Sequence, residues 1–94
     1  MANGLKTEET PRFKTLTGIS FTLDKYANAT IINRGTYNAS AEKYEGSAAT
    51  ITNELGEIYS LDVYESIDLG FAGVKDWTAL VINATGTVVK IVYH

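Results

Sequence analysis

The chain contains no cysteine and only one proline, one tryptophan and one histidine, and each shortage closes off a class of function. Without cysteine there is no disulfide framework, thiolate metal site or thiol nucleophile, so stability must come from packing. The one histidine is His94, the last residue of the sequence. A terminal residue is expected to be too mobile to hold a general base in register, so no nucleophile–histidine pair is predicted. Glycine-rich phosphate loops, His/Glu metal motifs and calcium-loop spacings are missing as well. The sequence therefore predicts no catalytic residues, no metal ligands and no cofactor.

Basic residues are also scarce: eight Lys and Arg stand against eleven Asp and Glu, a net charge of -3. They are scattered along the chain, at Lys6, Arg12, Lys14, Lys25, Arg34, Lys43, Lys75 and Lys90. With no basic patch there is no electrostatic reason to approach a phosphate backbone or an anionic lipid surface, and neither nucleic acid nor membrane is expected as a partner. Long apolar runs are missing too, so no secretion signal or membrane anchor is read. The chain is expected to be made and used, or assembled, in a cytoplasm.

What remains is a composition fit for one core: 94 residues, 45% hydrophobic and 20% charged, close to ordinary globular usage and far from that of disordered chains. Residues 1–12 are polar and contain the lone proline, Pro11; they read as an extended arm, and residues 13–94 as a single β domain. From Phe13 the pattern turns to period two. Phe13, Ile19, Phe21 and Leu23 share one parity, which predicts a strand with that face on the core and Leu16 as the exception.

Three β-rich runs are each closed by an asparagine and reopened by a glycine: Asn33 with Gly35, Asn53 with Gly56, and Asn83 with Gly86. This spacing suits tight turns with a left-handed glycine and predicts three hairpins, over 31–37, 50–61 and 80–91. The second and third align at an offset of thirty residues, a likeness that shared turn chemistry accounts for. Alternation predicts that Tyr59, Leu61 and Val63 share a buried face, and likewise Val89, Ile91 and Tyr93. Residues 77–82, apolar on both parities, read as a central strand or one covered twice, and something is expected to cover the second face. The stretch 41–49 offers at most one helical turn, and 65–76 is long enough to cross between sheets. Together these features predict an all-β fold, a small β-sandwich or barrel of short antiparallel strands and hairpins.

Two groups of side chains stand out as possible sites. Asp62, Glu65 and Asp68 gather where the long connection begins, but their spacing matches no metal or acid–base pattern. Tyr26, Tyr37 and Tyr44 lie in or beside polar loop sequence where no core requires them. Exposed aromatic rings there would suit stacking on sugars or anchoring of a protein interface. Trp77 falls on the doubly apolar strand and reads as core. Three Asn-x-Ser/Thr sequons, at Asn28, Asn38 and Asn83, are read as products of an Asn- and Thr-rich composition.

A short polar N-terminal arm before a cysteine-free, Thr- and Gly-rich β domain resembles the small β-sandwich virion proteins of tailed bacteriophages, of the head decoration or auxiliary capsid type. No motif carries the likeness, so no functional residue is transferred by it. The resemblance implies a virion location after assembly in a host cytoplasm. It also implies non-enzymatic cementing of protein subunits, as a homo-oligomer or on a larger lattice. On that reading the arm and a sheet surface make the subunit contact, with Leu5, Lys6 and Arg12 as candidate partner-binding residues; Tyr26, Tyr37 and Tyr44 are candidate partner-binding residues on the alternative reading. The alternative is a carbohydrate- or peptide-binding module using the tyrosines.

Overall fold

The computed structural model describes residues 10–24, 28–69 and 79–94. Among these the chain forms strands β1 (Arg12–Thr17), β2 (Ser20–Asp24), β3 (Ala29–Asn33), β4 (Thr36–Asn38), β5 (Lys43–Glu45), β6 (Ala49–Thr52), β7 (Ile58–Leu61), β8 (Ser66–Leu69), β9 (Ala79–Asn83) and β10 (Val88–Tyr93). Two four-stranded sheets have the orders β1-β10-β3-β8 and β2-β9-β6-β7, and β4 with β5 makes a separate two-stranded ribbon. Every pairing is antiparallel. The protein is a small all-β sandwich, as its alternating pattern predicts.

The two inner faces supply a single core. Leu16, Ile31, Val89 and Ile91 come from the first sheet; Leu23, Ile51, Leu61, Leu80 and Ile82 come from the second. Alternation governs β10, where Val89, Ile91 and Tyr93 are buried as expected, and β9 is a central strand with Leu80 and Ile82 inward. The other parity of β9 is not covered: Val81 stands on the outer face, well exposed. At the edge of the first sheet the inward positions of β1 are Arg12, Lys14 and Leu16, opposite Tyr93, Ile91 and Val89. Lys14 lays its ammonium 4.9 Å from the centre of the Phe21 ring, so the rim of the core is closed by a cation on an aromatic face.

The segment predicted as one strand, 13–24, is two strands in different sheets. Gly18, at φ +68°, bends the chain and exchanges the faces. Leu16, the apparent exception, is therefore fully buried, while Phe13 (75% exposed) and Ile19 face solvent. The hairpin predicted over 80–91 is corrected for the same reason. β9 pairs with β2 and β10 with β1, so Asn83 and Gly86 turn the chain from one sheet to the other. Ala84 N donates to Ile19 O (2.9 Å) and Gly18 N to Thr87 O (3.2 Å), so the two bends are bonded to each other, while β9 is flanked by β2 and β6 and β10 by β1 and β3. The result is one long ribbon folded at a corner, the device by which strands change sheets.

Only the hairpin over 50–61 forms as predicted. Gly56 N donates to Asn53 O (3.1 Å) and Asn53 N to Glu57 O (3.0 Å), with Gly56 at φ +82°, the geometry of a type I turn with a glycine bulge. Over 31–37 there is no hairpin. Arg34 N and Gly35 N both donate to Val88 O (2.8 and 3.0 Å), which keeps the chain on β10. Gly35 then turns it out of the sheet at φ +77°, where a Cβ would lie 2.8 Å from Glu45 O. Asn33 is not a turn residue but a fully buried one. Its Nδ2 donates to Ser47 O (3.0 Å) and Leu61 O (2.8 Å), and its Oδ1 accepts from Thr87 Oγ1 (2.6 Å). One amide thus ties the end of β3 to the β5–β6 connection, to β7 and to the corner, with its polar atoms paired as burial demands.

The expected helical turn over 41–49 gives way to β5, entered through Glu42 at φ +57°. The 65–76 connection contains a strand, β8, at the edge of the first sheet, and the chain next appears in β9 of the second, so it does cross between sheets. Tyr59 shares the inner parity with Leu61 but lies at the open edge, 52% exposed, while Leu61 is buried.

Candidate functional site

The β4–β5 ribbon belongs to neither large sheet and carries the most unusual surface of the molecule. Its turn is built by Asn38, whose Oδ1 accepts from Ser40 N (3.0 Å) and Ala41 N (3.2 Å) and whose Nδ2 donates to Glu45 Oε1 (3.0 Å). Register then places Tyr37 directly opposite Tyr44. Cross-strand partners share a face, and the two rings meet edge to face with centroids 5.1 Å apart.

Two residues the sequence reading did not select complete the cluster. Tyr64 packs edge-on against Tyr44 at 6.0 Å, and its hydroxyl accepts from Tyr44 N (3.1 Å). It adopts φ +77°, a region costing a bulky residue about 1–3 kcal/mol. Tyr64 N bonds Asn33 O (2.7 Å), so the buried Asn33 region holds the strained turn in place. Arg34 lies with its guanidinium 5.1 Å from the Tyr44 ring centre and donates from Nη2 to the Tyr44 hydroxyl (2.9 Å). Among the described residues it has no carboxylate partner, the one ion pair there being Lys43–Glu45 at 3.7 Å. An exposed planar cation is thus held on the Tyr44 ring, which two largely exposed rings flank: Tyr37 (53%) and Tyr64 (67%).

Of the other sequence-selected residues, Arg12 is the first residue of β1, opposite Tyr93, in a sheet that contains neither Tyr37 nor Tyr44. Leu5, Lys6, Tyr26 and Trp77 lie outside the described residues. The acidic group does not converge. Glu65 Oε1 accepts from Asp62 N (2.8 Å), within a tight turn, while Asp68 Oδ1 accepts from Thr30 Oγ1 (2.7 Å) on the outer face of the first sheet. Asp68 also borders a shallow cavity of about 270 Å³ with Asn28, Leu69, Val92 and His94. His94 there is not the loose end expected: it exchanges two backbone bonds with Asn28 (3.0 and 3.2 Å). No group of three metal-ligating side chains is present among the described residues.

Sequence could have pointed to Arg34 only through its place between Asn33 and Gly35. For Tyr64 there was no signal, since nothing in LDVYES marks a left-handed tyrosine. No protein-family model matches the chain, and no curated protein and no solved structure matches it.

Proposed function

We propose that the protein is a non-enzymatic subunit of a larger assembly, of the kind that decorates or cements a virion capsid, and that it docks on a partner protein through Arg34, Tyr37, Tyr44 and Tyr64. The observation that carries this reading is the strained Tyr64 placed against Tyr44 and Arg34 on a ribbon outside both sheets. Tyr and Arg are the residues that dominate protein interfaces, and backbone strain concentrates where a surface is shaped for use. Neighbouring rings stand at 60° and 82° to one another, so they form a knob rather than the coplanar strip on which an extended sugar chain would stack. That angle favours a protein partner over the carbohydrate alternative. Arg34, without a carboxylate partner among the described residues, fits a partner surface that presents a carboxylate among apolar groups.

The test compares the parent with an Arg34→Ala/Tyr37→Ala/Tyr64→Ala variant, confirmed as folded by circular dichroism. One assay is co-sedimentation with the native particle fraction of the source and the other is binding to a glycan array. Loss of at least about tenfold in co-sedimentation supports the assignment. Glycan binding by the parent that the variant loses would overturn it in favour of a sugar-binding module.

A further inference from the structure

Each large sheet has two edges, and three of the four carry a charge within the strand. β1 carries Arg12 and Lys14 and follows Pro11, β2 carries Asp24, and β8 carries Asp68. Such charges and prolines guard an edge against pairing with foreign strands. β7, with the sequence IYSL, has none. Among the described residues it pairs only with β6.

The backbone direction of β7 follows from its turn. Asn53 N bonds Glu57 O (3.0 Å), and bonded and non-bonded pairs alternate along an antiparallel ladder, so Ile51–Tyr59 is the next bonded pair. The N–H and C=O of Tyr59 therefore face β6, and those of Ile58 and Ser60 face outward. Beyond them the edge is closed by the chain itself, because Asp62 N donates to Glu65 Oε1 (2.8 Å) and Asp62 O accepts from Glu65 N (2.9 Å). The open stretch is flanked by apolar surface, with Ile58 66% and Leu55 82% exposed.

We propose that the outer edge of β7 is a strand-addition site for an extended, β-branched segment of a partner protein flanked by lysine or arginine. The unpaired groups of Ile58 and Ser60 supply the ladder, and charge selects the occupant. Glu54 and Glu57 stand exposed before the strand, and Asp62 and Glu65 after it. Among the described residues none of the four forms an ion pair, and Arg34 is held on Tyr44. A second copy pairing antiparallel about Tyr59 would set Glu57 of one chain beside Leu61 and Asp62 of the other, opposing like charges at both ends. A segment with basic flanks meets opposite charge at both ends instead. This site is independent of the tyrosine cluster.

The test titrates the ¹⁵N-labelled chain with two blocked peptides sharing a Thr-Val-Thr-Val-Thr centre, one flanked by lysine pairs and the other by glutamate pairs. The lysine peptide is expected to shift the Ile58 and Ser60 amide resonances, to slow their hydrogen exchange at least about tenfold, and to lose affinity as salt is raised. The glutamate peptide is expected to do none of these. In a Glu54→Lys/Asp62→Lys variant, whose two replaced side chains make no hydrogen bond among the described residues, one lysine offsets the remaining carboxylate at each end, so the preference for the lysine peptide should disappear. Equal binding of both peptides by the parent chain, an unchanged preference in the variant, binding of neither peptide, shifts centred on residues 36–45, or dimerisation of the unliganded chain through β7 would each overturn the proposal.

Discussion

Asn33 shows how far one side chain can reach in a domain without disulfides. Its amide bonds two backbone carbonyls and a hydroxyl from three separate parts of the chain, so replacement by an apolar residue leaves several buried polar atoms unpaired at once. Asn33→Leu is expected to lower the unfolding free energy by about 3 kcal/mol or more, and Thr87→Val, which removes one of the three bonds, by about 1–2 kcal/mol, both read by urea denaturation. Tyr64 is expected to behave oppositely. Tyr64→Gly relieves the left-handed strain while losing a ring contact and one hydrogen bond, so stability should change by less than about 1 kcal/mol even as partner binding falls. A larger drop would make Tyr64 a structural residue. The sequence announced Asn33 only as a turn former, because Asn-Arg-Gly has the same local chemistry whether the asparagine caps a turn or is buried.

Among the elements, β6–β7 and β9–β10 share an Asn-x-x-Gly spacing and end in different places. In the first, Gly56 N closes on Asn53 O; in the second, the turn bond falls one residue later, from Thr87 N to Ala84 O (3.0 Å). Local chemistry fixes that a turn occurs, but what the flanking strands pair with is decided by Gly18 and Ile19, more than sixty residues away in sequence. That is why the hairpin over 50–61 was legible and the corner was not. The same distance hid the reversal of faces at Gly18. Alternation was reliable inside single strands, and β9 offers a direct check on it. Ile82→Ala should cost about 3 kcal/mol, whereas Val81→Thr, on the open outer face, should stay within about 0.5 kcal/mol by the same denaturation assay. Comparable losses at both positions would mean that the outer face is covered in solution. At the candidate site Tyr37 and Tyr44 were legible as aromatics without a core to fill, while Arg34 and Tyr64 reach them only through tertiary placement.

At the scale of the molecule, the order β1-β10-β3-β8 puts the last strand between the first and the third. Removing residues 88–94 would take away the centre of the first sheet and with it Val89, Ile91 and Tyr93 of the core. The truncated chain is expected to show no cooperative thermal transition by circular dichroism. The same contacts between distant parts of the sequence place the domain with the slow-folding β topologies, on the millisecond-to-second scale. One further consequence follows from Arg12 lying directly opposite Tyr93. A tensile load applied through these two positions pulls along the hydrogen bonds of the β1–β10 ladder and opens them one pair at a time, because antiparallel bonds lie across the strands. Loaded that way the domain unzips at low force. A subunit that must bear stress in an assembly would therefore have to take it through its surfaces, sideways to that ladder, and leave its two ends slack.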